Sequence, residues 1–68
     1  MKYLKCHTNL SMEGESKLEA IEGKNYLVVD ENDMEYFIID ESGDKHSFGK
    51  DNRNWSCFKN WFFLIYPS

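Results

Sequence analysis

The sequence predicts an all-β fold: a small, strongly curved barrel of about five antiparallel strands, built as one domain over residues 1–68. Three observations point there. Residues 24–30 (KNYLVVD) and 35–40 (EYFIID) are rich in Tyr, Phe, Val and Ile and stand four polar-leaning residues apart, as the arms of an antiparallel hairpin do. Apolar residues occupy both faces of each run, whereas a flat sheet with one wet face would alternate more cleanly. Eleven aromatic residues in 68 can fill a core without staples, which a chain this short otherwise tends to need.

Each element follows in order. Residues 2–7 (KYLKCH) alternate, with Leu4 and Cys6 expected inward. Residues 8–16 (TNLSMEGES) read as a long loop from which Leu10 and Met12 fold back onto the core. Ser16 and Glu19 form a capping-box pattern and Gly23 sits where a helix would stop, yet only about two turns lie between them. A short helical turn near 17–22, or an irregular segment, is therefore expected, with Leu18 and Ile21 covering one end of the core. After the hairpin, Glu41-Ser42-Gly43-Asp44 is a turn in which Gly43 supplies the left-handed residue. Residues 45–49 (KHSFG) form a strand with Phe48 inward, and residues 50–54 a polar loop. Trp55, Cys57 and Phe58 lead into the last strand, 61–66, which Pro67 ends.

Composition narrows the function classes. Twelve Asp and Glu against eight Lys and Arg disfavour generic binding to DNA or to an anionic membrane. The longest apolar run, 61–66, is too short to span a bilayer. Two cysteines and no secretion-type opening segment point to a reducing, cytoplasmic compartment, where a Cys6–Cys57 disulfide is disfavoured.

Reactive chemistry finds little purchase. Cys6, His7, His46 and Cys57 show no paired zinc-ligand spacing, and adjacent Cys6 and His7 would point to opposite faces of a strand. The acidic stretch holding Asp30, Glu31, Asp33, Glu35, Asp40, Glu41 and Asp44 lacks the Gly of a calcium loop. Cys57 and His46 are the one nucleophile–base pair on offer, and nothing in the sequence brings them together. Four scattered glycines make no phosphate loop. No enzyme activity and no cofactor are expected.

The tail is the exception. Residues 55–66 hold six of the eleven aromatics. On a strand over 61–66, Trp61, Phe63 and Ile65 share one face while Phe62, Leu64 and Tyr66 share the other. Either the curved barrel uses both faces for its own core, or part of this set is exposed, and exposed Trp and Tyr are the residue types that anchor interfaces. The candidate partner-binding set is Trp55, Phe58, Trp61, Phe63, Tyr66 and Tyr36, beside the hairpin acids Asp33 and Glu35.

One likeness supplements this reading. A Gly-Lys-x-Tyr-x-Val segment (Gly23, Lys24, Tyr26, Val28) precedes a Tyr-x-Ile-x-Asp strand (Tyr36, Ile38, Asp40). An Asp-x-x-Gly-Asp turn (Asp40, Gly43, Asp44), a His-x-Phe strand (His46, Phe48) and a Trp-Phe closing strand follow. Over about residues 17–66 this rhythm resembles the small SH3-like β-barrel proteins encoded by bacteriophages and prophages. The long 8–22 segment and the aromatic tail depart from it. The resemblance implies a non-enzymatic module that binds, and often inhibits, a host protein in the cytoplasm of an infected bacterium. Two other readings stand beside it: a small nucleic-acid-binding barrel, for which Lys50, Arg53 and Lys59 near Trp55 and Trp61 are the available cations, and a structural protein that self-associates as a homodimer through the tail.

Overall fold

The alternation in residues 2–7 separates Leu4 and Cys6 from Tyr3 and Lys5, and both former side chains are fully buried in strand β1 (Tyr3–Cys6) of this computed structural model. The structure describes residues 1–11, 18–53 and 55–66. Five further strands follow: β2 (Asn25–Leu27), β3 (Asp30–Glu31), β4 (Glu35–Ile39), β5 (Lys45–Gly49) and β6 (Phe62–Ile65). One 3₁₀ turn (Phe58–Asn60) precedes β6. They make two antiparallel three-stranded sheets, ordered β2-β1-β6 and β3-β4-β5, in a small all-β, barrel-like fold. No helix among the described residues is long and apolar enough to cross a membrane.

The expected hairpin forms only at its tip. Asp30 and Glu31 pair with Phe37 and Tyr36, but Asn25–Leu27 pair instead with β1 in the other sheet. The run is one stretch bent at Val28 and Val29. There the Val28 N–H donates to Lys2 O (3.0 Å) and the Val29 N–H to Phe37 O (2.8 Å), so consecutive amides serve different sheets. Counted as one bent strand, β2–β3 restores the expected five. Apolar residues on both faces suit such a corner, since the inward direction changes as the strand turns.

The turn chemistry follows the residues. Gly43 takes φ +85°, a left-handed conformation that costs an L side chain energy, and Gly23 takes φ +92°. Gly23 closes a turn and no helix, because residues 18–23 are irregular: Leu10 and Ala20 form an antiparallel bridge. The expectation for Leu18 and Ile21 is corrected accordingly. Ile21 is exposed and Leu18 half-buried, while Glu19 and Ala20 turn inward. Met12 and Ser16, and the strand-ending role of Pro67, lie outside the described residues.

The core joins both sheets. Phe62 of β6 meets Phe48 of β5 edge-on with ring centroids 4.9 Å apart, and meets Tyr26 of β2 at 6.0 Å. Tyr36 and Phe58 form a second edge-on pair at 5.2 Å. Leu4, Cys6, Leu10, Ala20, Ile38 and Cys57 fill the remaining space. Cys6 donates to Thr8 O (3.1 Å), and burial pushes its thiol pKa up.

A polar lock holds the segment before β2 to the β4–β5 turn. Ser42 Oγ donates to Glu19 Oε2 (2.8 Å) and the Glu41 N–H donates to Glu19 O (2.8 Å). Asp40, also buried, accepts the amides of Ser42 (2.9 Å) and Asp44 (3.1 Å), and lies 3.4 Å from His46 Nδ1. Tyr26 Oη donates to Glu41 Oε2 (2.6 Å) and accepts the Ile21 N–H (2.9 Å). Burial and the Glu41 carboxylate both raise the Tyr26 pKa.

Burial pushes the Asp40 carboxyl up, but the Asp44 and Ser42 amides, with Glu19 and His46, overcome it and hold it below the ordinary aspartate value. The folded state therefore binds this proton more weakly than the unfolded chain. Asp40 contributes fully above the unfolded pKa of about 3.9, and its contribution fades as pH falls through the depressed folded value. Asp40→Asn should cost about 1–3 kcal/mol at pH 7 and flatten the acid limb of stability against pH, read by urea unfolding at a series of pH values. An unchanged acid limb would show that Asp40 is not its source.

Candidate functional site

Turn residues are usually polar because they face water, which makes an apolar side chain at a turn informative. Met34, in the β3–β4 turn, is 75% exposed. Its turn is built by Asn32, whose Oδ1 accepts the amides of Met34 and Glu35 (both 2.8 Å), while the Asn32 N–H donates to Glu35 O (3.0 Å). Asp33, Met34 and Glu35 form one wall of a shallow groove, and Gly49 at the end of β5 with Lys50, Asp51 and Arg53 of the following loop form the other. The Lys50 N–H donates to Met34 O (2.9 Å) and joins the walls.

The same loop carries Trp55, whose side chain is 77% exposed although its backbone is held. Trp55 O accepts Asn60 Nδ2 (2.8 Å), and the neighbouring Ser56 O accepts the Gly49 N–H (3.0 Å). The indole is thus an apolar surface displayed from an anchored loop.

Charge gives the groove a sign. Lys50 pairs with Glu31 (2.6 Å) and lies over the Tyr36 ring, 4.7 Å from its centroid. Arg53 pairs with Asp51 (2.9 Å). The lysines beside Glu31 and the guanidinium beside Asp51 hold both carboxyls below their ordinary pKa. Asp33 and Glu35 form no ion pair among the described residues. The groove's two cations are paired within the chain, and the rim charge without an ion-pair partner among the described residues is acidic.

The eight residues singled out from the sequence therefore divide. Asp33 and Glu35 line the groove, and the exposed Trp55 follows two residues after Arg53 of its other wall. Tyr36 and Phe58 are core residues; Phe58 retains only 6% exposure because the 3₁₀ turn points it at Tyr36. Trp61 is half-buried against Phe48, ring centroids 5.9 Å apart, since its own backbone leaves the extended region (ψ −15°) and removes it from the strand's alternation. Phe63 faces outward on β6 beside the His7 ring, and Tyr66 lies over a separate hollow with Met1, Lys2, Val28 and Val29. Sequence reasoning passed over Met34, although it stands out as the one apolar residue between Asp30 and Glu35, and weighed Lys50 only as a cation for nucleic acid.

The groups considered for chemistry have other partners. His46 stacks on Phe48 (4.5 Å) next to Asp40, and the Cys57 thiol lies 3.8 Å from Asn52 Oδ1. Among the described residues, no three His, Cys, Asp or Glu side chains gather as metal ligands would. Comparison with protein-family models, with curated proteins and with solved structures finds no match to this chain.

Exposure predicts opposite outcomes for two aromatics only three positions apart. Trp55→Ala should leave unfolding free energy within about 0.5 kcal/mol of the parent, whereas Phe58→Ala should cost about 3–5 kcal/mol. Equal costs in denaturant titrations would contradict this division between rim and core.

Proposed function

We propose that the chain is a non-enzymatic protein-binding module that grips a cationic segment of a host protein between the β3–β4 turn and the loop after β5. The observation that carries this is the Trp55 indole, open to solvent two residues after Arg53, whose side chain lines a groove with two carboxylates that form no ion pair among the described residues. Trp55 and Met34 supply apolar area that gains by being covered, and rigid presentation lowers the entropy lost on binding. Asp33 and Glu35 select lysine or arginine over acidic partners and speed encounter at low salt. The phage-type likeness adds the setting: the cytoplasm of an infected bacterium, with a host protein blocked by the contact.

The nucleic-acid reading is the weaker one, because Lys50 and Arg53 already engage carboxylates, and of the three local cations only Lys59 forms no ion pair among the described residues. The test uses the immobilised chain and bacterial lysate. Proteins retained by the parent chain should be lost with Trp55→Ala, a change expected to weaken binding about 30-fold if the indole is a hot spot of about 2 kcal/mol. Asp33→Asn with Glu35→Gln should weaken retention mainly at low salt. Equal retention by Trp55→Ala overturns the proposal, as does a salt-sensitive gel shift with single-stranded DNA and no captured protein.

A further inference from the structure

The outer strands differ in how their edges are guarded. Open strand edges invite pairing, and proteins usually blunt them with charged side chains, proline or a bulge. β3 is Asp30–Glu31, with both carboxylates paired to lysines. β5 opens on Lys45. β6 reads FFLI and lies within an uncharged run, Trp61 to Tyr66.

The register shows which backbone groups of β6 face away from β1. The His7 N–H donates to Trp61 O (2.7 Å), and the β1–β6 pairing runs Lys5↔Phe63 and Tyr3↔Ile65. Antiparallel ladders alternate, so 61, 63 and 65 direct their N–H and C=O toward β1, while 62 and 64 direct theirs the other way. The opposite side of β1 agrees: the Cys6 N–H donates to Lys24 O and the Val28 N–H to Lys2 O, placing the even-numbered residues of β1 toward β2. Beside the outer edge of β6, with which no strand among the described residues pairs, lies an open apolar hollow lined by Phe58, Lys59, Phe62, Phe63 and Leu64. A row of alternating donors and acceptors along an extended backbone is satisfied best by another extended strand.

We infer that the occupant is a second copy of this chain, its β6 paired antiparallel with the first about a two-fold axis at Phe63. That register sets Phe62 opposite the partner copy's Leu64 and Leu64 opposite its Phe62, exchanging four backbone hydrogen bonds. It merges two three-stranded sheets into one of six strands. Phe63, 60% exposed in the single chain, then faces its own counterpart in a non-hydrogen-bonded pair, the closer of the two antiparallel spacings. Self-pairing suits this edge because it brings no like charge against itself, despite a net charge of −4. A two-fold contact also closes, so association stops at two. The contact uses none of the groove residues 33–35 or 49–53, so it stands independently of the binding proposal.

Sedimentation equilibrium of the full chain between about 10 µM and 1 mM tests it. The mass should rise with concentration from that of one chain toward that of two, and Phe63→Lys, which opposes two cations at the axis, should hold it at one. Phe63→Cys should give a disulfide-linked pair on mild oxidation, since the two Cβ atoms meet within bonding reach, whereas Lys5→Cys on the same outer face should not. Circular dichroism of each variant establishes that it is folded. A single-chain mass at 1 mM with no Phe63→Cys cross-link overturns the inference, and so does a dimer unaffected by Phe63→Lys.

Discussion

The contact between Phe62 and Phe48 is the one on which the rest depends. Each ring comes from a different sheet, and both are almost wholly buried where the sheets face each other. Tyr26 meets Phe62 and Trp61 meets Phe48, within one buried cluster that includes Leu4 and Ile38. A chain of 68 residues has little other interior, since a domain this small buries only about 60% of its unfolded surface. Aromatic area per residue takes the place that disulfides or a metal hold in other small folds.

Around that contact, polar groups decide where loops sit. Glu19, Asp40 and Ser42 are joined by hydrogen bonds that would be costly to leave unmet in the interior, and Tyr26 and Glu41 extend the set to the surface. Glu19, shortly before β2, is thereby fastened to the β4–β5 turn. On the opposite side, Lys2 and Lys50 both reach Glu31, drawing the start of the chain and the end of β5 to the short strand β3. Such exposed pairs add little individually, but they fix the wall that carries Lys50 and hence the groove.

Much of this architecture was legible because its signals are local. Alternation placed Leu4 and Cys6 inward, and Gly43 marked its turn. What escaped depends on contacts distant in sequence. The composition of KNYLVVD announces its pairing with residues 35–40, which holds at Asp30, but nothing in it says that its first half pairs instead with residues 3–5. The capping pattern before Gly23 met a stronger competitor, an extended bridge between Leu10 and Ala20. The candidate site was half visible: exposed aromatics were expected from the tail, but which ones depends on the 3₁₀ turn that buries Phe58 and breaks the strand pattern at Trp61. Met34 and Lys50 are separated by fifteen residues and become neighbours only through the pairing of β4 with β5.

The bend at Val28 and Val29 has a consequence for how the molecule comes apart. Because one continuous stretch is a member of both sheets, neither can melt while the other keeps its full complement of strands. Loss of the β1–β2 ladder frees the first half of that stretch and strips support from the second, so partly unfolded forms have no intact half to rest on. All-or-none unfolding is the outcome such shared membership favours, and a lesion in either sheet is felt as a lesion in the whole.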